Sequence, residues 1–138
     1  PGVTYALAGE GDSEAEYRAL ATRLGVADRV RFLGPVANAD LPQLYRAADA
    51  LVMPSASEGL ANAWVEALAC GARVVATDCR SGPREILLGG ELGELTPVGD
   101  AEALAEALAR ALDAPPAPER QRQRAAAFSV SRAADAYV

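Results

Sequence analysis

The sequence predicts an α/β fold with a mostly parallel sheet, and three observations support this prediction. Short apolar runs alternate with segments of helical periodicity along most of the chain. About half of the residues are apolar, aromatic residues are few, and Gly and Pro are plentiful, which suits helices packed tightly on a sheet and joined by short loops. The 138 residues fit one compact domain and are too few for two ordinary ones. These features favour a three-layer, Rossmann-like domain.

Five apolar runs are predicted to be strands, because each is short and is bounded by turn residues. They lie at residues 3–8, 29–33, 50–53, 73–76 and 93–96. The first run is closed by a Gly-rich turn, and the second ends at Gly34 and Pro35. The spacing of Gly9 and Gly11 lacks the third Gly of a dinucleotide-binding loop, because Glu14 stands in its place, so a turn is predicted there.

Helices are predicted between these strands from apolar residues at helical spacing. The first is marked by Tyr17, Leu20, Ala21 and Leu24, and the second follows Asp40 as a plausible N-cap. Further helices are predicted over residues 61–69 and 83–88, from about 100 to 112, and over 120–124, with a final segment that ends at Val138. The Pro-rich residues 114–118 read as a break between helices.

Charge and composition exclude several classes of function. The chain has no His, so a Ser-His triad and a His-based zinc site are excluded. The net charge of −6 argues against sequence-independent binding of nucleic acid. Cys70 and Cys79 show no paired spacing and are interpreted as reduced packing residues. No apolar run approaches the roughly 20 residues that span a bilayer.

The segment that could carry chemistry is residues 54–71 (PSASEGLANAWVEALACG). It leaves a strand, crosses a loop of small residues and enters a helix, which is where open α/β sheets bind ligands. The first-turn N–H groups near Gly59 to Asn62 have no partner within the helix and could bind a diphosphate. Gly59 would allow a ligand to approach the backbone closely.

Two carboxylates flank this predicted anion site. Glu58 lies in the loop, and Glu66 lies one turn beyond Asn62, outside an apolar stripe made of Ala61, Trp64, Val65, Leu68 and Ala69. Carboxylates accept hydrogen bonds from the vicinal hydroxyls of a ribose or a hexose. A structural explanation stays open on spacing alone, because a Glu near a helix start complements the macrodipole and a Glu at a helix edge is ordinarily solvated.

Several segments resemble the retaining glycosyltransferases of the two-domain GT-B type, whose donor domain carries two glutamates separated by seven residues. Glu58 and Glu66 have this separation. Similar segments lie at residues 29–34 (RVRFLG), 40–45 (DLPQLY), 47–55 (AADALVMPS) and 76–87 (ATDCRSGPREIL). The resemblance implies that residues 1–138 are the C-terminal, nucleotide-sugar-binding half of a GT-B fold, without its first strand and helix and without the acceptor domain.

The resemblance also implies a role for each matching residue. Glu58 would be catalytic and contact the transferred sugar, and Glu66 would bind the ribose. The sugar and the diphosphate would be held by backbone groups at the helix start, in Gly59, Leu60, Ala61 and Asn62. The base would be contacted by backbone groups after the second strand, in Gly34, Pro35 and Val36. No metal or other cofactor is expected. The family's basic phosphate ligands would fall before residue 1, and neither Arg80 nor Arg84 is assigned that role.

The expected activity of the intact protein is retaining transfer of a hexosyl or N-acetylhexosaminyl group from a nucleoside diphosphate sugar, with UDP-sugars favoured. The acceptor would be a glycan or a lipid-linked glycan in bacterial polysaccharide synthesis. The protein would be cytoplasmic or peripherally attached to the inner face of the membrane, and residues 1–138 alone would be inactive. Two alternatives stay open: a nucleotide-sugar-binding module without catalysis, and part of a nucleotide-sugar epimerase.

Two further groups of residues are given structural interpretations. Tyr45 and Trp64 are predicted to lie in the core. Arg120, Arg122 and Arg124 are predicted to form a solvated helix face.

Overall fold

The computed structural model describes residues 2–59, 61–114, 117–129 and 132. They belong to two compact units, Pro1–Leu41 and Pro42–Val138. The prediction of alternating strands and helices is confirmed in both.

The first unit is a parallel strand pair with a helix between the strands. Strand β1 (Tyr5–Ala8) is followed by helix α1 (Glu14–Arg23), a 3₁₀ turn (Ala27–Arg29) and strand β2 (Val30–Gly34), and β1 pairs with β2 in parallel. The guanidinium of Arg18 lies 4.1 Å from the centre of the Phe32 ring, which joins α1 to β2. Of the four residues that set the helical periodicity, only Ala21 is buried, whereas Leu24 is 64% exposed.

The second unit contains the larger sheet. Its elements are α2 (Leu41–Ala47), β3 (Ala50–Met53), α3 (Asn62–Ala69), β4 (Arg73–Thr77), α4 (Pro83–Ile86), a 3₁₀ turn (Leu88–Gly90), β5 (Glu94–Thr96), α5 (Ala101–Asp113) and α6 (Pro118–Ala126). The strands β3, β4 and β5 lie in this order and are all parallel. The mostly parallel pairing is therefore confirmed, with a parallel pair of strands in the first unit and a parallel trio in the second.

The core of the second unit is built around β4. Val74, Val75 and Ala76 are fully buried, and successive strand residues point to opposite faces, so both faces of β4 are covered. Val75 packs against Ala107 and Ala111 of α5. The arrangement is the helix, sheet, helix layering of a Rossmann-like domain.

One position in the predicted apolar stripe of α3 is wrong. Trp64, Ala67 and Leu68 are fully buried, whereas Ala69 is exposed. At about 100° per residue, Ala67 and Leu68 share a face with Trp64, because they lie three and four residues after it. Ala69 lies well away from that face. The predicted core position of Trp64 is confirmed, as is that of Tyr45, which is 8% exposed.

The prediction of a solvated arginine face on α6 is wrong for Arg124. Its side chain donates hydrogen bonds to the backbone oxygens of Glu85 (2.6 Å) and Ile86 (3.1 Å) and stacks on Phe128. These carbonyls lie at the C-terminal end of the single turn of α4, where the guanidinium supplies hydrogen-bond donors to them. The final segment predicted to end at Val138 lies almost wholly outside the described residues.

Arg120 and Arg122 do lie on an exposed face. Arg120 is 3.6 Å from Glu91, and Arg122 is 2.7 Å from Glu119 on the same helix.

Candidate functional site

The candidate site begins where the chain leaves the carboxyl end of β3. Helix α3 starts after Ala61, whose side chain makes no capping hydrogen bond. The first backbone bond of the turn joins the N–H of Trp64 to the oxygen of Ala61 at 3.1 Å. Within the described part of the chain, the N–H groups of Ala61, Asn62 and Ala63 donate to no protein group. Three donors at the positive end of α3 are therefore available to an anion.

Glu58 is held in place by its own loop. The hydroxyl of Ser55 donates to Oε1 of Glu58 at 2.7 Å. Glu58 is half-buried and lies four residues before the first residue of α3. The contact occupies one carboxylate oxygen and limits the conformations of the side chain, but a carboxylate has further lone pairs for a ligand hydroxyl.

The loop is also fastened to the end of β4. The hydroxyl of Ser81 donates to the backbone oxygen of Glu58 at 2.6 Å, and the hydroxyl of Thr77 donates to the backbone oxygen of Ser55. Thr77 is 2% exposed, so this contact is shielded from water. Two neighbouring strand ends are thereby linked across the loop that carries Glu58.

Gly82 permits a close approach between the two loops. Its φ is +95°, a conformation that side chains rarely adopt. A Cβ atom there would lie 2.8 Å from the backbone oxygen of Gly59 and 3.2 Å from the Trp64 ring. Only Gly fits this position without moving the loop of Glu58.

Glu66 lies on the exposed edge of α3, one turn beyond the exposed Asn62. The hydroxyl of Tyr45, on α2, donates to Oε2 of Glu66 at 3.1 Å. Burial, followed by the hydrogen bond to Glu66, raises the pKa of Tyr45 to about 12. The phenol therefore stays protonated near neutral pH and acts as a donor to the carboxylate.

The predicted site residues fall in both units, and five of them are consecutive or nearly so in the second. Glu58, Gly59, Ala61, Asn62 and Glu66 lie on one loop and the helix that follows it. Leu60 lies outside the described residues. Gly34, Pro35 and Val36 lie in the first unit, at and after the end of β2, where the oxygen of Gly34 accepts a hydrogen bond from the N–H of Gly9 at 2.8 Å.

The basic side chains after β4 do not form a phosphate cluster. Arg84 is paired with Asp78 at 2.5 Å, so its charge is already matched. Arg80 is exposed and makes no hydrogen bond or ion pair with any residue that the structure describes.

Two concavities of the second unit lie at the opposite edge of the sheet. Their volumes are about 180 and 270 Å³, and Arg73, the first residue of β4, lines both. Glu58 and Glu66 line neither of them. Tyr45, which donates a hydrogen bond to Glu66, lines the concavity of about 270 Å³.

The described ranges hold neither a cluster of metal-binding side chains nor a helix that could span a membrane. No three His, Cys, Asp or Glu side chains there are close enough together to hold a metal ion. No helix in the same ranges is long and apolar enough to cross a bilayer.

Sequence reasoning missed five residues that hold the site together: Tyr45, Ser55, Thr77, Ser81 and Gly82. Tyr45 and Glu66 are 21 residues apart, and Ser81 and Glu58 are 23 apart, so no local spacing reveals either pair. Ser55 is three residues from Glu58, close enough for loop chemistry to have indicated the contact.

A family model and curated relatives of this chain point to the same family. The model described as glycosyl transferases group 1 matches residues 1–128. The lipopolysaccharide core biosynthesis glycosyltransferase LpsE of Rhizobium meliloti is 40% identical over 108 residues, which are 78% of this chain and 31% of that protein. A D-inositol 3-phosphate glycosyltransferase of Streptomyces griseus is 44% identical over 112 residues, 81% of this chain and 24% of that protein. The chain spans less than a third of the length of either relative.

Solved structures agree with this family. Anabaena HepE, solved in complex with UDP, is 32% identical, with a TM-score of 0.78 over 96% of this chain and 37% of that one. The apo form of the lipopolysaccharide outer core galactosyltransferase WaaB is 24% identical, with a TM-score of 0.82 over 94% of this chain and 37% of that one, and supports the fold alone. The parallel α/β architecture and the match over residues 1–128 lead to one conclusion: the chain belongs to the group 1 glycosyltransferases and has the fold of a GT-B donor-binding domain.

Proposed function

We propose that this chain binds the donor of a retaining glycosyltransferase, which transfers a hexosyl or N-acetylhexosaminyl group from a UDP-sugar to a glycan or lipid-linked acceptor. The observation that carries the proposal is the position of Glu58 and Glu66 on either side of three free N–H groups at the start of α3. An anionic centre flanked by acceptors of hydroxyl groups fits a diphosphate that joins two sugars.

The diphosphate is proposed to lie at the N–H groups of Ala61, Asn62 and Ala63. The positive end of a helix carries roughly half an elementary charge and is strongest in its first turn. Oriented donors of this kind stabilise the charge that develops on a departing diphosphate, and they do not need to reorganise during the reaction. For this reason we propose that the reaction needs no metal ion.

The two carboxylates are assigned to the two sugars of the donor. Glu58, beside the helix start, would contact hydroxyls of the transferred sugar, and Glu66, one turn along α3 from Asn62, would bind the ribose hydroxyls. Backbone groups of Gly59 and of the unplaced Leu60 would complete the sugar contacts. With both sugars held, the main contribution of the protein is positioning and electrostatic stabilisation.

The base assignment rests on the family resemblance. Backbone groups of Gly34, Pro35 and Val36, in the first unit, would contact the base. HepE, 33% identical to this chain, has also been solved in complex with UDP-glucose, which supports a uridine donor. The name of LpsE, a lipopolysaccharide core biosynthesis glycosyltransferase, supports a glycan as the acceptor. The acceptor would be bound by a second domain of the full-length protein, at the cytoplasmic face of the membrane.

The proposal is tested by incubating the full-length protein and a glycan acceptor with UDP-glucose, UDP-galactose or UDP-N-acetylglucosamine, with and without EDTA. We expect release of UDP from at least one donor, unchanged by EDTA, and an α-linked product from an α-linked donor in the anomeric NMR signal. An inverted product would contradict the retaining mechanism. Epimerised UDP-N-acetylglucosamine without transfer would favour the epimerase, and binding without turnover of any donor would favour a binding module.

A further inference from the structure

We infer that Tyr45 is a positioning residue of the donor site: its hydroxyl holds one oxygen of the Glu66 carboxylate and leaves the other for the ribose. The inference rests on the proposed function, because it assumes that Glu66 binds the ribose. The contact joins α2 to α3 through a single side-chain hydrogen bond of 3.1 Å.

The two ends of this contact lie in different environments. Tyr45 is 8% exposed, so its ring is fixed by the surrounding core, whereas Glu66 is exposed. An exposed Glu side chain samples several rotamers, and fixing it in one of them costs conformational entropy. A buried phenol that already holds the carboxylate removes part of that cost before the nucleotide arrives.

The chemistry of the hydrogen-bond donor, the phenol of Tyr45, suits this role. The phenol is neutral, so it orients the carboxylate without cancelling the negative charge. An arginine or a lysine in its place would cancel that charge. The pKa of Tyr45, raised to about 12 by burial and by the hydrogen bond, keeps the proton on the phenol oxygen at neutral pH. A hydrogen bond to Oε2 leaves Oε1 free, because no described residue donates to Oε1. Vicinal ribose hydroxyls can therefore still bind Glu66.

A purely structural role for the hydroxyl makes a different prediction. If the contact only fastened α2 to α3, its removal would weaken the binding of every ligand of the site to a similar extent. If it positions Glu66, its removal must act only on ligands that carry ribose hydroxyls. A pair of nucleotides that differ only in those hydroxyls separates the two roles.

The test measures the dissociation constants of UDP and 2′,3′-dideoxy-UDP for the full-length protein and its Tyr45→Phe variant. Tyr17→Phe, which removes the hydroxyl of an exposed tyrosine, is the matched control. We expect Tyr45→Phe to raise the dissociation constant of UDP about three- to tenfold, and to leave that of dideoxy-UDP unchanged within about twofold. In a Glu66→Ala background, Tyr45→Phe should have no further effect on UDP.

The possible failures are distinguishable. If the unaltered protein bound UDP and dideoxy-UDP equally well, the ribose site at Glu66 would be absent, and the inference would fall with the proposed function. If the unaltered protein preferred UDP and Tyr45→Phe kept that preference, Glu66 would bind ribose without help, and only the inference would be overturned. Equal weakening of both nucleotides by Tyr45→Phe would show a structural role and would also overturn it.

Discussion

At the scale of single residues, the two glutamates of the site are held by different neighbours. Glu58 is bonded by Ser55 from within its own loop, whereas Glu66 is bonded by Tyr45 from another helix. Each contact occupies one oxygen of the carboxylate. The two side chains should therefore respond differently to substitution, because one is proposed to bind the transferred sugar and the other the nucleotide.

Replacement of Glu66 by Gln is expected to weaken the binding of UDP by about 1–3 kcal/mol, because a charged hydrogen-bond acceptor is lost. The amide oxygen can still accept from Tyr45, so the fold should be retained. Calorimetric titration of the full-length protein with UDP measures the change. Glu106→Gln, on the exposed side of α5, is the matched control and should leave the affinity unaltered. Unchanged affinity in Glu66→Gln would refute the ribose assignment.

Replacement of Glu58 by Ala is expected to lower turnover about 10- to 100-fold while UDP binding stays nearly intact. UDP binding stays intact because the proposed partner of Glu58, the transferred sugar, is absent from UDP. Turnover falls because the contact is proposed to matter mainly in the transition state. Turnover and UDP affinity are measured on the same preparation, with Glu102→Ala as a control. Comparable losses in both quantities would instead indicate that Glu58 maintains the loop.

The sequence revealed which glutamates to consider but not what holds them. Glu58 and Glu66 could be singled out because their separation is local and matches a family pattern. The partner hydroxyls of Tyr45 and Ser81 come from distant parts of the chain, and only the packing of α2 and the loop after β4 brings them close. Contacts between distant residues depend on tertiary structure, which periodicity does not encode.

At the scale of elements, the site is a junction between the loops that follow β3 and β4. The hydroxyl of Ser81 bonds the loop after β4 to the loop after β3. Gly82 allows the two loops to come this close, because it has no side chain. Because the same loop carries Glu58, its position depends on both contacts.

Replacement of Gly82 by Ala is expected to destabilise the protein by about 2–4 kcal/mol and to lower turnover, since the new Cβ would strain the backbone and press on the oxygen of Gly59. Gly89→Ala is a matched control, because its φ is also positive, at +67°, and nothing lies within 4 Å of a Cβ there. It should cost only the backbone strain, about 1 kcal/mol. Urea unfolding gives both values. A Gly82→Ala variant no less stable than Gly89→Ala would argue against the close approach.

Element types were predictable to a large extent, and the errors have physical causes. The strand over residues 50–53 was predicted at its observed bounds, because a short apolar run between turns has few alternatives. The predicted apolar stripe of α3 included Ala69 and left out Ala67. The error arose because Ala is equally compatible with buried and exposed positions. Arg124 was placed in solvent because the carbonyls at the end of α4 that it binds are 38 and 39 residues away.

At the scale of the whole molecule, the chain is a donor-domain fold built of two compact units. Alternation of strands and helices predicted parallel pairing correctly in both units. It did not predict that the strands would form a pair and a trio, because periodicity identifies strands and not which strands become neighbours. The loop that carries Glu58 and the start of α3 lie in the larger unit, directly after the carboxyl end of β3, as expected for ligand sites of open α/β sheets.

The central claim is that the start of α3, with the glutamates on either side of it, is the donor site. A crystal structure of the full-length protein with bound UDP tests this claim most directly. We expect phosphate oxygens at hydrogen-bond distance, about 2.7–3.2 Å, from the N–H groups of Ala61, Asn62 or Ala63, and ribose hydroxyls at the same distance from Glu66. UDP bound elsewhere, for example beside Arg73 at the opposite edge of the sheet, with the start of α3 left vacant, would contradict it.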